Sequence, residues 1–451
     1  MSRFIPVDRA TAYLLPPSVE DWLPEGHLAR FVVEVIDQMD LSKLTQEYAG
    51  RGSAAHHPGV LLGLLVYGYA NGVHSSRKIE RATYDSVAFR YIAANTHPDH
   101  DTLATFRRRF LKEVEDLFVQ VLMLAREMKL LKLGHIALDG TKIQASAGRH
   151  KALSWGHANR IEAQLRAEVQ GLLALGEQAD RSNVPDGLDV PAEIARRETR
   201  LAALTQAKAK IEKRAGERHA LERQEYEAKQ AKREAQRKAG KKPTGKEPKP
   251  PRAGPRDRDQ INLSDEDSRI MPVAGGGFEQ SYNAQGAVDT DTMLVVATHV
   301  SQAPNDKREI APALEKIAAL PEALGAPTTL LADAGYFSAS NVQACEEAKI
   351  EPMLAMNRES HHVPVLERFA PDAPVPDTHD PVAKMKHRLG TQAGRALYGL
   401  RKQTVEPVFG IIKHVMGWRR MSMRGLEAAR GEWSLVAMSW NIKRLHVLRA
   451  A

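Results

Sequence analysis

Cysteine is almost absent from this sequence, and long apolar runs are absent altogether. The single cysteine, Cys345, excludes an internal disulfide and any cysteine-based zinc site. No stretch approaches the 18 or more apolar residues of a membrane span, and the start, MSRFIPVDRATAYLLPPSVEDWL, lacks a signal peptide's apolar region. No serine or cysteine arrangement for covalent catalysis is evident either. We therefore expect a soluble cytoplasmic protein without membrane association.

The charge is concentrated in one part of the chain. The 451 residues include 64 Lys and Arg against 56 Asp and Glu, a mildly basic balance of +8 that favours a polyanionic partner. Residues 196–258 alone contain 21 Lys and Arg against nine Asp and Glu, so the remainder of the chain is net acidic. This basic block is a candidate for nucleic-acid contact, although a solvated helix face would have the same composition.

The length allows two or three domains, and the sequence pattern changes at three places. Residues 1–128 show helical periodicity and predict an all-α N-terminal DNA-binding domain. Strand patterns occupy 129–150 and 260–451, which predict one α/β catalytic domain. Between them, 151–259 predict a basic helical hairpin or coiled coil that ends in a disordered Pro- and Lys-rich segment.

Two short helices are predicted in the N-terminal part, over SSRKIERATYDS and DTLATFRRRFLKEV. They would project Arg77, Lys78, Arg81 and Arg107 as candidate phosphate contacts. Short helices joined by tight turns are compatible with a helix-turn-helix DNA reader, and equally with a plain helical bundle that has a basic face. The sequence leaves both interpretations open.

The α/β part predicts a mixed sheet that continues across the insertion. HIALD is followed by strands at 280–289 and 292–300, then by a helix, a strand at 328–337, a helix and a last strand. The turn DTDT indicates that the second and third strands are antiparallel. We expect HIALD to pair beside 280–289, since loop-closure entropy grows only slowly with loop length.

Two of these strands end on an acid. Asp139 ends HIALD and Asp333 ends TTLLAD, and each is followed closely by a glycine. Asp-Gly is a common turn signal, which is the simpler interpretation of Asp139 taken alone. Carboxylates at neighbouring strand ends can instead share divalent ions, with Mg²⁺ favouring such oxygen ligands.

A third acid, Glu406, lies in RALYGLRKQTVEPVFGIIKHVMGWRR. On an ideal helix, an arc of about 80° would carry Tyr398, Lys402, Glu406, Phe409 and Lys413. Pro407 either kinks this helix or begins a new one, so only Glu406, Phe409 and Lys413 are safely on one face.

Together these segments resemble the DDE transposases of bacterial insertion sequences. IALDGTKIQA is similar to that family's first-Asp segment, LLADAGYF to its second, and Y..RK...EPVFGIIK to its Tyr-Arg-Glu-Lys signature. The resemblance covers residues 50 to 445 and implies an RNase H-like catalytic fold. It implies that Asp139, Asp333 and Glu406 are catalytic metal ligands and that Lys413 is the signature lysine. Tyr398 has the expected spacing from Arg401, but Lys402 has the expected spacing from Glu406, so either cation fits the signature arginine.

The resemblance further implies Mg²⁺, with Mn²⁺ as a substitute, and a transposase that cleaves DNA and transfers strands. Its partners would be the transposon's terminal inverted repeats and target DNA, bound by a homodimer that associates with the bacterial nucleoid. Tyr398, Arg401, Lys402 and Lys413 would contact phosphates near the scissile bond. Two other functions remain open: an inactive transposon-derived DNA-binding protein, and a generic RNase H-like nuclease without strand transfer.

Overall fold

A computed structural model describes residues 18–48, 55–178, 188–240, 242–243, 245–273, 275–356 and 371–450. The chain divides into two compact units, one of residues 1–146 with 271–451 and one of residues 147–270. Within the described ranges, no helix combines the length and apolar character needed to cross a membrane.

The first unit begins with a series of helices, which are α1 Leu28–Asp37, α2 Ser42–Gln46, α3 Pro58–Ala70, α4 Ser76–Asp85, α5 Val87–Ile92, α6 His100–Arg109 and α7 Glu113–Glu127. Helix α3 starts with Pro58 at its first turn and is followed by Gly72 at φ +80°, residue types that favour a helix start and a helix end. DTLATFRRRFLKEV is not one helix, because α6 ends at Arg109 and α7 begins only at Glu113.

The α/β part contains a six-stranded mixed sheet, which confirms the predicted fold class. Its strands are β1 His135–Gln144, β4 Arg269–Pro272, β5 Phe278–Asp289, β6 Val295–Ser301, β7 Thr329–Ala332 and β8 Glu351–Leu354. They follow the order β4-β5-β1-β7-β8, with β6 paired to β5. The pairing of β1 with β5 is antiparallel over residues 136–144, so the sheet does continue across the insertion. The pairing of β5 with β6 is antiparallel as well, as the turn predicted.

Helices α10 Ile310–Ala318, α11 Ala339–Glu347, α12 Pro381–Gly390, α13 Gln392–His414 and α14 Leu426–Ala450 complete this unit. Helix α14 is buried along most of its length and contacts the sheet through polar side chains. Asn441 bonds to the backbone of Val295 in β6, and Trp433 Nε1 donates to the carbonyl of Gln285 in β5 at 2.7 Å. The same helix contacts α3, where the Tyr69 hydroxyl donates to Glu432 at 2.9 Å. The N-terminal helices and the α/β part therefore share one packed interior.

The second unit is a helical hairpin closed by a small two-stranded sheet. Helices α8 Trp155–Gln178 and α9 Val190–Lys238 lie beside strands β2 Ala152–Ser154 and β3 Gln260–Asn262. The helices are antiparallel, since Glu162 pairs with Lys208 whereas Glu168 pairs with Arg197. Their core consists of Leu153, Ala158, Leu165, Leu204, Ala207, Ile211 and Ile261.

The end of the Pro- and Lys-rich segment, for which composition predicts disorder, contacts α9. Arg256 pairs with Glu222 at 2.9 Å, and Arg218 donates to the Gly254 carbonyl at 3.2 Å. Part of the connection between α8 and α9, residues 179–187, lies outside the described residues.

Candidate active site

Asp139 lies in the middle of strand β1, and the prediction that the strand ends there is wrong. Strand β1 continues to Gln144 because its backbone stays paired with β5, and Asp139 itself lies opposite Gly286. The Asp139 carboxylate accepts the backbone N–H of Gly140 at 2.8 Å and is 20% exposed. Asp139 and Gly140 therefore form no turn, and the paired strand holds Asp139 in place.

Asp333 follows the last residue of β7, as predicted. Its carboxylate accepts the backbone N–H of Gly335 at 2.8 Å and caps the short 3₁₀ turn that comes next. Strands β1 and β7 are parallel, and Ala137 lies opposite Leu331. Each acid comes two residues after that pair, so both side chains point to the same face of the sheet.

Glu406 lies on α13, which runs without interruption from Gln392 to His414 although it contains Pro407. Proline removes one helical hydrogen bond at that point without starting a new helix. Arg401 lies on the same helix and connects the acids: its Nη1 is 3.1 Å from Asp139 Oδ2, and its Nη2 is 3.2 Å from Glu406 Oε1. Lys402 lies on the exposed side of the helix. Arg401, and not Lys402, is thus the cation in contact with the two acids.

Arg401 is buried while Glu406 is about half exposed. Within the described residues, the Arg401 Nε atom is buried and has no hydrogen-bond partner. The guanidinium therefore uses its two Nη groups, and not Nε, to contact the acids. The Glu406 side chain, held on one side only, has room to rotate.

Burial controls the charge of two groups in the site. It raises the pKa of the Asp139 carboxyl to about 6, helped by the negative charges of Asp333 and Asp306 and opposed by the Gly140 N–H and Arg401. Burial also lowers the pKa of Lys413, with the nearby Arg419 and Lys142 acting in the same direction and Asp139 opposing them. Burial thus favours the neutral form of both Asp139 and Lys413.

The donor set fits Mg²⁺, since carboxylate oxygens are the ligands that this ion prefers. Among the described residues, no three acids or histidines are close enough to hold an ion as they stand. The separation has a visible cause, because the Arg401 guanidinium lies between Asp139 and Glu406. A divalent cation would offset the cost of burying the ionised Asp139 carboxylate, which is the main cause of its raised pKa, and the smaller repulsion from Asp333 and Asp306.

The other predicted contacts fall in different places. Tyr398 is buried, and its hydroxyl donates to the Ala332 carbonyl at 3.3 Å, which attaches α13 to the end of β7. Arg77 and Lys78 are exposed on α4, and the exposed Arg81 pairs with Asp85 on the same helix at 3.0 Å.

Arg107 does not lie on that surface. It donates inward, to the Tyr69 hydroxyl at 3.0 Å and to the His74 carbonyl at 3.1 Å. Its guanidinium therefore links α6 to α3 in the interior of the helical part, at a distance from the exposed cations of α4.

The sequence analysis missed a fourth acid, Asp306, between β6 and α10. Its Oδ1 accepts from Asn283 and Gln285, both at 2.7 Å, and lies 3.4 Å from the Lys142 ammonium. One signal was available in the sequence: Asn283 and Gln285 are polar residues at alternating positions of the strand, between Tyr282, Ala284 and Gly286. They therefore share one face and need partners there.

Two protein-family models match the chain. One, described as "Transposase domain (DUF772)", matches residues 17–109, and the other, described as "Transposase DDE domain", matches residues 259–442. The second match includes Asp333 and Glu406 and begins near the end of the inserted unit, so Asp139 lies outside it. No curated protein and no solved structure matches the chain significantly. The two matches, with the mixed α/β sheet, show that the chain belongs to the DDE transposases of the insertion-sequence type.

Proposed function

We propose that this transposase binds the terminal inverted repeats of its own insertion sequence, cleaves DNA at the element's ends and joins those ends to target DNA. The observation that carries the proposal is the arrangement of three acids. Asp139 lies on β1, Asp333 directly follows the neighbouring parallel strand β7, and Glu406 is connected to Asp139 through Arg401.

In this proposal Asp139, Asp333 and Glu406 hold Mg²⁺, with Mn²⁺ as a substitute. When bound, such ions activate a water or a 3′-hydroxyl and stabilise the attacking and leaving oxygens of an in-line displacement at phosphorus. The protein's part is to fix two of the carboxylates on rigid strands, which hold ligands better than loops do. The half-exposed Glu406 completes the set by leaving Arg401.

Two cations of α13 would then interact with the DNA backbone. The Arg401 Nη2 group, released from Glu406, would donate to a phosphate oxygen. Lys413 lies in the last turn of α13, and its charge interacts with Asp139. Because burial already disfavours its charged form, a phosphate placed beside Lys413 would restore that form.

Binding to the repeats would use basic surfaces away from the acids. Arg77, Lys78 and Arg81 lie on the exposed side of α4, and the block 196–258 includes most of α9. Each phosphate that these residues neutralise would contribute a salt-dependent part of the affinity. We place the reaction in the bacterial cytoplasm on nucleoid DNA, with two copies of the chain holding the two ends.

The test is a cleavage assay on DNA that carries the element's own ends, with Mg²⁺ and then with a chelator. Asp139→Asn, Asp333→Asn and Glu406→Gln should each bind the repeats as tightly as wild type while losing cleavage and strand transfer. Asp377→Asn, at an exposed position, is the matched control and should cleave normally.

Other outcomes separate the competing functions. Wild-type protein that binds the repeats without cutting them under any metal condition would be a binding protein. Cleavage without joining, when a 3′-hydroxyl end is supplied, would indicate a nuclease. Normal cleavage by Asp139→Asn would mean that Asp139 is a structural residue of β1 and not a metal ligand.

A further inference from the structure

Asp306 lies in the loop between β6 and α10, in none of the segments that carry the transposase signature. Its Oδ1 is held by the amide groups of Asn283 and Gln285 and by the more distant Lys142 ammonium. The side chain is 24% exposed. One oxygen of the carboxylate is therefore committed to the protein, while the group as a whole still reaches solvent.

The partners of Asp306 form a buried polar layer beneath the acids. Asn283, Gln285 and Tyr336 are all completely buried. Gln285 donates to both Asp306 and Asn283, and its own oxygen accepts from the Tyr336 hydroxyl. Because these buried side chains are hydrogen-bonded to one another, they are held in one arrangement: breaking any one bond would leave a buried polar group unpaired. Asp306 is thus positioned as firmly as the strand-borne acids.

Two glycines leave room for this carboxylate. A Cβ on Gly140 would lie 2.7 Å from Asp306 Oδ1, and a Cβ on Gly335 would lie 3.9 Å from Asp306 Oδ2 and 3.0 Å from Asp333 Oδ1. Gly140 follows Asp139 directly, and Gly335 is two residues after Asp333. Asp306 therefore reaches the space beside both acids, and its Oδ2 faces the same point as Asp333.

The partners of Asp306 occupy only one of its two carboxylate oxygens. Among the described residues, the hydrogen bonds from Asn283 and Gln285 and the ion pair with Lys142 all end on Oδ1. Oδ2 is the oxygen nearer to Gly335, which follows Asp333, so Oδ2 is placed to act on a ligand there.

We propose that Asp306 is a fourth carboxylate of the active site, which strengthens divalent-cation binding beside Asp139 and Asp333 through its Oδ2. This rests on the proposed function, because it concerns the same metal site. Mg²⁺ keeps several waters in protein sites, so an acid beyond the three direct ligands acts on the ion by charge and through that water. Groups around the direct ligands commonly change metal affinity by about 10- to 100-fold.

The experiment measures Mn²⁺ binding to the full chain by electron paramagnetic resonance, without DNA. Asp306→Asn should weaken Mn²⁺ binding by about tenfold or more while the thermal transition and repeat-DNA binding remain. Glu309→Gln is the matched control: Glu309 is a buried acid three residues away that accepts from His299 and Ser301, and its loss should leave Mn²⁺ affinity unchanged.

If Asp306→Asn does not fold, wild-type protein loaded with Fe²⁺ gives a second test, because hydroxyl radicals cut the backbone near a bound ion. Cuts near residue 306 as well as near 139 and 333 support the inference, and cuts near 139 and 333 alone overturn it. Equal Mn²⁺ affinity of Asp306→Asn and wild type also overturns the inference about Asp306. The proposed function would still stand in that case, provided that wild type cleaves DNA. Wild type that neither binds Mn²⁺ nor cleaves DNA overturns both.

Discussion

Replacing Asp139 by asparagine should remove a pH-dependent loss of stability from the metal-free protein, even though the change should abolish cleavage. Burial raises the pKa of the Asp139 carboxyl from 3.8 to about 6. The folded state therefore favours the protonated acid. The contribution of Asp139 to stability is fully present below pH 4 and is lost as the pH rises through about 6. Asparagine cannot ionise, so the variant does not lose this stability as the pH rises.

The size of the effect follows from the same values. A rise in pKa from 3.8 to about 6 corresponds to about 3 kcal/mol, since each pKa unit is worth about 1.36 kcal/mol. The Asp139 side chain is only 20% exposed, so solvent screening reduces this little. The free energy of unfolding of Asp139→Asn, minus that of wild type, should therefore increase by about 3 kcal/mol between pH 4 and pH 8.

Urea denaturation in the presence of a chelator, at a series of pH values, measures this difference. Mg²⁺ added at pH 8 should stabilise wild type and reduce the difference, because the ion neutralises a carboxylate that the variant lacks. Asp289→Asn is the matched control: burial also raises the pKa of Asp289, which lies on β5 and accepts from Thr292. Its pH-dependent difference should not respond to Mg²⁺. A difference for Asp139→Asn that is constant from pH 4 to pH 8 would refute the reasoning.

Two further predictions concern the neighbours of Asp139. Arg401→Ala leaves a buried acid unpaired and should lower the free energy of unfolding of the metal-free protein by about 3 kcal/mol in urea denaturation. Lys402→Ala, on the exposed side of α13, should change the free energy of unfolding by less than about 0.5 kcal/mol. Equal losses of stability in the two variants would contradict the assignment of Arg401 as the cation that contacts the acids. Gly140→Ala places a methyl group 2.1 Å from Gln285 Nε2 and should abolish DNA cleavage while destabilising by about 1 to 3 kcal/mol. Gly134→Ala is the control: nothing lies within 4 Å of its added Cβ, so it should change neither DNA cleavage nor stability. Cleavage by Gly140→Ala would show that the polar layer is dispensable.

The apolar pattern of the sequence was enough to predict the strands but not where one of them ends. In β7 the buried residues stop at Ala332, and so does the strand. In β1 the apolar run stops at Asp139, but the strand continues because β5 supplies backbone partners up to Gln144. Backbone pairing cannot be recognised from the pattern of side chains, so the continuation of β1 beyond Asp139 was not predicted.

The cation next to the acids could not be chosen from the sequence, because neighbouring helix positions differ by about 100° and Pro407 left the helix axis undetermined. The helix is continuous, and the length of the Arg401 side chain allows it to reach both Asp139 and Glu406. Asp306 could not be found because it lies in a loop and depends on partners about 20 residues earlier in the chain.

The insertion between β1 and β5 has a consequence for the order of folding. Gln144 pairs with Ser281, so the sheet cannot close until the ribosome has made about 135 further residues. The hairpin of α8 and α9 has its own core, and β2 and β3 bring Ala152 next to Asn262. Once the hairpin has formed, only about 25 residues outside it separate Gln144 from Ser281, which lowers the entropic cost of closing that loop by about 1.5 kcal/mol. We therefore expect the insertion to fold first during synthesis and to shorten the loop that must close before β5 can pair with β1.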